Sequence, residues 1–395
     1  MTIKIDVATF GAKGDGKTND SQAFQKAIDF LSSKGGGTLI ANGEFRVDNQ
    51  INLKSDIFYN FEKAIFYKGK NIDYLMKGDI GTNNIHILGG AFQKAKFTPT
   101  TIQATGEYVY NNAIHIAKSS KIIIEKTNFT GYFVSCDFYD CQNVTIRETN
   151  HFDCNAGIAI IASSNAVNDV KNIKINNNSF FGTGDDAIAI GPVNSNFNIR
   201  NVDISFNYFD KYRTSILSAV GIRVGRYGNG AGKVFDVKIL NNYFYDMTDH
   251  SLYIHDVESC DIENNVIDKF AKRTGSAAIV LGGIDRNCDK LIIKNNTVKN
   301  PSLNGYAIYA IGIKNSIISN NYFEANNKNV PTVHIEKSRN NTLSSNTFIN
   351  YSGATLQLFD GSDNIRIEKN NLSNGVGKKV NFGNSKNIKA TGNTY

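Results

Sequence analysis

Tryptophan is absent from this 395-residue chain, proline occurs 4 times and methionine 3 times. The five cysteines, Cys136, Cys141, Cys154, Cys260 and Cys288, are too few and too scattered for a disulfide framework, and an odd number cannot all pair internally. None stands in a Cys-x-x-Cys pair, which argues against a structural zinc site and for small interior residues. No polybasic run accompanies the net charge of +7, so an acidic polymer is the expected partner rather than a nucleic acid. No apolar stretch reaches membrane-spanning length, so no membrane partner is expected. The opening "MTIKIDVATFGAKGDG" lacks the apolar core of a signal peptide.

What is present is order-promoting. The chain is 41% hydrophobic and 20% charged, rich in Ile, Val, Phe and Tyr, and its 34 glycines and many asparagines promise frequent turns. Short apolar strands are followed again and again by "Asn-x-aromatic or aliphatic" segments, at Asn128, Asn150, Asn178, Asn207, Asn242, Asn265, Asn296, Asn321, Asn346, Asn371 and Asn393. From Asn296 to Asn371 the repeat is 25 residues three times over. A unit of that length, with two or three strands of three to five residues and no helix, is too short for a propeller blade and lacks a leucine-rich pattern. It fits one coil of a parallel β-solenoid, each coil adding about 4.8 Å of height. Like residues then stack on like, and the asparagines are expected to form a structural hydrogen-bonded ladder.

The first 50 residues differ. "NDSQAFQKAIDFLSSKGGG" offers Asn19 or Asp20 as an N-cap, then Ala23, Phe24, Ala27, Ile28 and Leu31 on one face, and Gly35 to Gly37 as a stop. This predicts an amphipathic helix covering the exposed end of the solenoid. The segment from Asp6 to Val47 resembles the N-terminal segment of the pectate-lyase superfamily. That resemblance implies an all-β, single-stranded right-handed parallel β-helix, with residues 1–50 as the capping segment and 51–395 as the helix. The superfamily includes lyases, hydrolases, epimerases and phage tailspikes, so the resemblance says little about chemistry.

The chemistry is sought in "GTGDDAIAIG", where Asp185 and Asp186 oppose like charges at the mouth of a strand. "NAGIAI" (155–160), "DDAIAI" (185–190), "AVGIRV" (219–224) and "DHSLYI" (249–254) align without gaps. In that register Ile188, Ile222 and Leu252 form an interior row, while Ala159, Ala189, Arg223 and Tyr253 face solvent. The expected neighbourhood is Asp185, Asp186, Arg223, Asp249, His250 and Tyr253, with His255 and Asp256 just beyond. The longest coil adds Lys211, Tyr212, Arg213, Arg226 and Tyr227 as a basic, aromatic wall, and an insertion from Gln93 to Asn112 could form another. His151 adjoins Asp153 and could border the site, whereas His86, His115 and His334 read as strand residues without partners.

Paired carboxylates disfavour double ionisation, which suits the acid and base of sugar hydrolysis. "GTGDDAIAIG" also resembles the Gly-Asp-Asp segment of polygalacturonase-type glycoside hydrolases. The resemblance implies that Asp185 is the general acid and Asp186 a base for water, with Asp153 nearest to that family's Asn-Thr-Asp. Its Arg-Ile-Lys motif is not recognisable here. The expected catalytic residues are thus Asp185, Asp186, Arg223 and His250. Asp153, Arg226, Tyr227, Asp249, Tyr253 and His255 are expected to bind substrate. No metal or other cofactor is expected for hydrolysis.

Two alternatives use the same face. A lyase or C5-epimerase would abstract a proton beside a uronate carboxylate. Ca²⁺ could then sit on Asp185, Asp186 and Asp249, with Arg223 or His250 taking the proton. A phage tailspike or adhesin would bind glycan there without turnover. In every case the expected partner is an acidic polysaccharide, the setting extracellular or virion-borne, and the assembly a monomer or homotrimer.

Overall fold

The computed structural model describes residues 3–70, 72–94, 111–210, 220–273, 275–301, 305–324, 330–349, 354–374 and 380–395. Lys211, Tyr212, Arg213 and most of the Gln93–Asn112 insertion lie outside them. The chain winds into a parallel β-helix. Among the described residues its coils contribute to one sheet of 13 strands and one of 28, and every strand pairs in parallel with its counterpart one coil on. Gly37–Val47 already belongs to the larger sheet, paired with Ile57–Lys68. No described helix is long and apolar enough to cross a membrane.

The cap forms as its periodicity predicts. A helix spans Ser21–Ser33, and Ala23, Phe24, Ala27, Ile28 and Leu31 are buried. Phe24 meets Phe45 edge-on, with ring centroids 4.9 Å apart, and also touches Phe61 and Phe66, so it closes the end of the core. Asp20 takes the N-cap position, but its side chain makes no cap hydrogen bond to the helix. Asn19 Oδ1 accepts from the Ser21 backbone N–H, while the Asp20 carboxylate accepts from the backbone N–H groups of Lys13 and Gly14.

The asparagine ladder is real, but its rungs are set by backbone geometry. At each corner one residue adopts a left-handed φ, and the next residue points inward as the rung. Asn177, Phe206, Asn241, Asn264, Asn295, Asn320, Ser345 and Lys369 are left-handed, and Asn178, Asn207, Asn242, Asn265, Asn296, Asn321, Asn346 and Asn370 follow them. Asparagine tolerates that conformation unusually well, which explains the recurrent Asn-Asn pairs. Each buried rung from Asn178 onward accepts through Oδ1 from the rung before it, and Nδ2 donates to the next rung and to a strand carbonyl.

Three expected rungs are thereby corrected. Lys369 is the left-handed residue, so Asn370 rather than Asn371 is the rung. Lys126 and Glu148 are left-handed in the early coils, so Thr127 and Thr149 take the inward place. Asn128 and Asn150 pair outside instead, Nδ2 to Oδ1 at 2.7 Å.

Inside, Phe66, Phe92, Phe129, His151, Phe180, Phe209 and Phe244 form one stack, with centroids 4.5–5.2 Å apart. Each such contact contributes about 0.5–1.5 kcal/mol beyond its buried area. His151 is therefore an interior residue and borders no site. The other three strand histidines are not isolated either. His86 Nε2 is 2.7 Å from Glu125 Oε1, His115 Nδ1 is 2.5 Å from Asp137 Oδ2, and the His334 ring stacks on Tyr309. His115 and His334 find their partners directly opposite on the neighbouring coil, and Glu125 lies two residues beyond Ile123, the residue opposite His86, relations that a single strand read alone does not display. All five cysteines are free and buried, as expected.

Candidate active site

The 13-stranded sheet carries the candidate site, and its register is the one the sequence implies: Ile158 pairs with Ile188, Ile188 with Ile222, and Ile222 with Leu252. Strand alternation puts those aliphatic side chains in the core and turns Ala159, Ala189, Arg223 and Tyr253 outward. Asp185 and Asp186 occupy the corner before Ile188. That corner is tied to the previous coil by the N–H of Gly184 to Cys154 O and of Asp185 to Asn155 O.

Arg223 Nε lies 2.8 Å from Asp186 Oδ2. The N–H is not aimed along a hydrogen-bond line, so charge rather than direction carries this contact. Asp186 Oδ1 is buried with no hydrogen-bond partner among the described residues. Burial pushes the Asp186 carboxyl up to about 7, with Arg223 opposing the rise and the Asp185 charge adding to it. Asp185 is half-buried, and its carboxyl is also raised by burial, with Arg223 again opposing. The Arg223 guanidinium lies 5.2 Å from the centre of the Tyr253 ring, a cation–π contact that fixes its other side.

Asp249 is 4% exposed and accepts a short hydrogen bond from Ser276 Oγ, with Arg273 Nη1 at 3.5 Å. His250 is spoken for at both nitrogens. Its Nδ1 accepts from the Ala277 backbone N–H at 3.0 Å, and Nε2 lies 3.5 Å from Asp249 Oδ1. Burial lowers its pKa, so the ring is neutral at pH 7.

A second cluster lies at the far end of the same strands. The buried His255 places Nδ1 3.4 Å from Asp256 Oδ2, and Arg226 Nε is 3.3 Å from the same oxygen. Burial alone would raise the Asp256 carboxyl, but the His255 hydrogen bond and the Arg226 charge outweigh it, and its pKa is lowered. The cluster needs two glycines. A Cβ on Gly191 would lie 2.7 Å from the Tyr227 ring, and one on Gly225, at φ +154°, would lie 2.5 Å from His255 Nδ1. The Tyr227 hydroxyl is buried without a partner among the described residues.

The fold thus brings together Asp185, Asp186, Arg223, Asp249, His250 and Tyr253, with Arg226, Tyr227, His255 and Asp256 beside them. Asp153 is exposed at a left-handed corner of the preceding coil, where its N–H donates to Phe181 O. Sequence reasoning missed Ser276, Arg273 and Arg286. Extending the alignment one coil further, where Leu252 pairs with Ile279, would have reached Ser276, whereas Arg273 and Arg286 lie in the turns on either side of that strand. A calcium site on Asp185, Asp186 and Asp249 does not fit. Among the described residues no three metal-ligating side chains converge, Asp186 Oδ2 faces Arg223, and the Asp249 oxygens face Arg273 and the Ser276 hydroxyl.

Comparison with known proteins agrees with this architecture. Residues 220–395 match the right-handed β-helix region family, and residues 4–209 match the family described as rhamnogalacturonase A/epimerase, pectate lyase-like. Plasmin and fibronectin-binding protein A of Streptococcus pneumoniae is 24% identical over 94% of this chain and 54% of its own length. Polygalacturonase ADPG1 of Arabidopsis thaliana is 28% identical over 49% of each protein. The chain therefore spans about half the length of these curated relatives. Among solved structures, the pneumococcal surface adhesin PfbA superposes with a TM-score of 0.66 at 19% identity, covering 100% of this chain and 92% of the adhesin. The family 28 exopolygalacturonase of Yersinia enterocolitica superposes with a TM-score of 0.59 at 14% identity, covering 100% and 79%. With the family match extending over more than half of its residues, the chain belongs to the rhamnogalacturonase A/epimerase, pectate-lyase-like family of right-handed parallel β-helix proteins.

Proposed function

We propose that the protein is a glycoside hydrolase that cuts an acidic polysaccharide outside the cell, with Asp185 and Asp186 as its working pair. The observation that carries this reading is the raised carboxyl pair beside Arg223. Burial raises both carboxyls, Asp186 to about 7 with the Asp185 charge adding to the rise, so the site keeps a proton-carrying carboxyl near neutral pH. Asp185 is the more accessible member and is presented to the glycosidic oxygen as acid. Asp186, held by Arg223, takes the base role toward water. The surrounding arginines suit a substrate that carries carboxylates. Polygalacturonase relatives support hydrolysis as the class, and the adhesin relatives make binding without turnover the competing reading.

The test is a product screen. The protein is incubated with a panel of acidic polysaccharides, with and without Ca²⁺, and the oligosaccharides are weighed by mass spectrometry. Products that have gained one water per cut, lost in Asp185→Asn and Asp186→Asn, support the reading. Products of elimination, one water lighter, or no cleavage across the panel would sink it.

A further inference from the structure

Four arginines surround the site, and three of them face carboxylates: Arg223 with Asp186 at 2.8 Å, Arg226 with Asp256 at 3.3 Å, and Arg273 with Asp249 at 3.5 Å. Arg286 differs. No carboxylate among the described residues comes within ion-pair distance of it, yet its side chain is half-buried and anchored. It enters from a tight turn in which the Arg286 N–H donates to Gly283 O. From there the side chain reaches back across two coils. Its Nη1 donates to Arg226 O at 2.9 Å and lies 3.4 Å from His255 Nδ1.

An anchored guanidinium with one nitrogen engaged keeps its remaining N–H donors in a fixed fork, the arrangement that matches a carboxylate with two parallel hydrogen bonds. A partly buried cation without a counter-ion is costly and is relieved by an incoming anion. We propose that Arg286 is the residue that recognises a carboxylate of the polysaccharide, one subsite beyond the Asp185–Asp186 pair, and so sets the preference for uronic-acid chains over neutral ones. This rests on the proposed function only in taking a polyuronide as the ligand. His255 supplies an internal reporter, because its ring lies against Arg286 and its pKa is lowered by burial, with Asp256 opposing and the Arg286 charge adding to the fall. A carboxylate placed on Arg286 offsets that charge and lets the His255 pKa rise.

The experiment is calorimetric binding of tri-galacturonate, tri-mannuronate and tri-glucuronate, each against its carboxyl-reduced counterpart, using Asp185→Asn protein so that no turnover intrudes. The expected result is that at least one acidic trimer binds more tightly than its neutral form. Arg286→Gln should erase that preference, by about ten- to a hundredfold, and Arg286→Lys should restore part of it. Histidine NMR of the Asp185→Asn protein should show His255 titrating at higher pH once that trimer is bound, and Arg286→Gln should abolish the ligand-induced change. The proposal is overturned if Arg286→Gln, with unchanged far-UV circular dichroism, keeps the acidic preference, or if no acidic trimer is preferred. An erased preference in a protein that cleaves nothing would sink the hydrolase reading and leave this one standing. Cleavage of polyuronides with an unaltered preference in Arg286→Gln would do the reverse.

Discussion

Arg223 and Asp186 come from neighbouring coils and meet with Nε 2.8 Å from Oδ2, where their side chains are only 18% and 10% exposed. The guanidinium stabilises the ionised carboxylate, yet burial outweighs it and the Asp186 carboxyl rises to about 7. The pair is thus held at the edge of protonation rather than locked in one state. A base with a pKa near the working pH combines availability with driving force.

That balance has a stability consequence whose sign can be worked out. Asp186 titrates near 7 when folded and near its ordinary value of 3.8 when unfolded. Its contribution to stability is complete below about 3.8 and is lost as pH rises through 7. Asparagine does not titrate, and the Arg223 charge it leaves unpaired adds an offset that does not vary with pH. The melting temperature of Asp186→Asn should therefore move upward relative to the parent protein between pH 4 and pH 8. A constant gap across that range would mean that Asp186 is not raised.

The asparagine ladder gives a sharper contrast. Asn265 is fully buried, its Oδ1 accepts from both the backbone and side-chain nitrogens of Asn242, and its Nδ2 donates to Ile239 O and Asn296 Oδ1. Replacement by alanine strands several of these groups at once, each costing about 1–3 kcal/mol. Asn150→Ala removes one hydrogen bond at the outer surface and should cost well under about 1 kcal/mol. Urea melts of the two variants test this, and equal losses would show that the ladder does not stabilise the solenoid.

Much of this arrangement is legible in the sequence because a solenoid repeats its own register. Aligning "DDAIAI" with "AVGIRV" and "DHSLYI" places Arg223 and Tyr253 on one outward row, and the strands pair that way. The rungs were less legible, since a left-handed Lys369 or Glu148 looks no different in sequence from its neighbours, and that residue decides which side chain turns inward. Arg273 and Arg286 escaped for a different reason. They lie in turns outside the strand alignment, and Arg286 reaches its contacts two coils back through side-chain length alone.

His151 shows the same limit and offers the last test. It looked like a rim residue because Asp153 is close in sequence, yet its ring is sandwiched between Phe129 and Phe180. Thr149 Oγ1 gives its proton to Asn178 Oδ1, so His151 Nε2 must donate to Thr149, and Nδ1 is left buried without a partner among the described residues. Burial lowers the pKa to about 3, against 6.5 for an exposed imidazole. The stability that His151 contributes is present above about 6.5 and is lost as pH falls toward 3. Phenylalanine continues the stack, removes the unpaired nitrogen and leaves Thr149 bonded to Asn178. His151→Phe should raise the melting temperature at pH 7, and the gain should widen at pH 5, as thermal melts at the two pH values would show. A loss at pH 7, or a gain that shrinks on acidification, would mean that the imidazole is held by a contact that phenylalanine cannot replace.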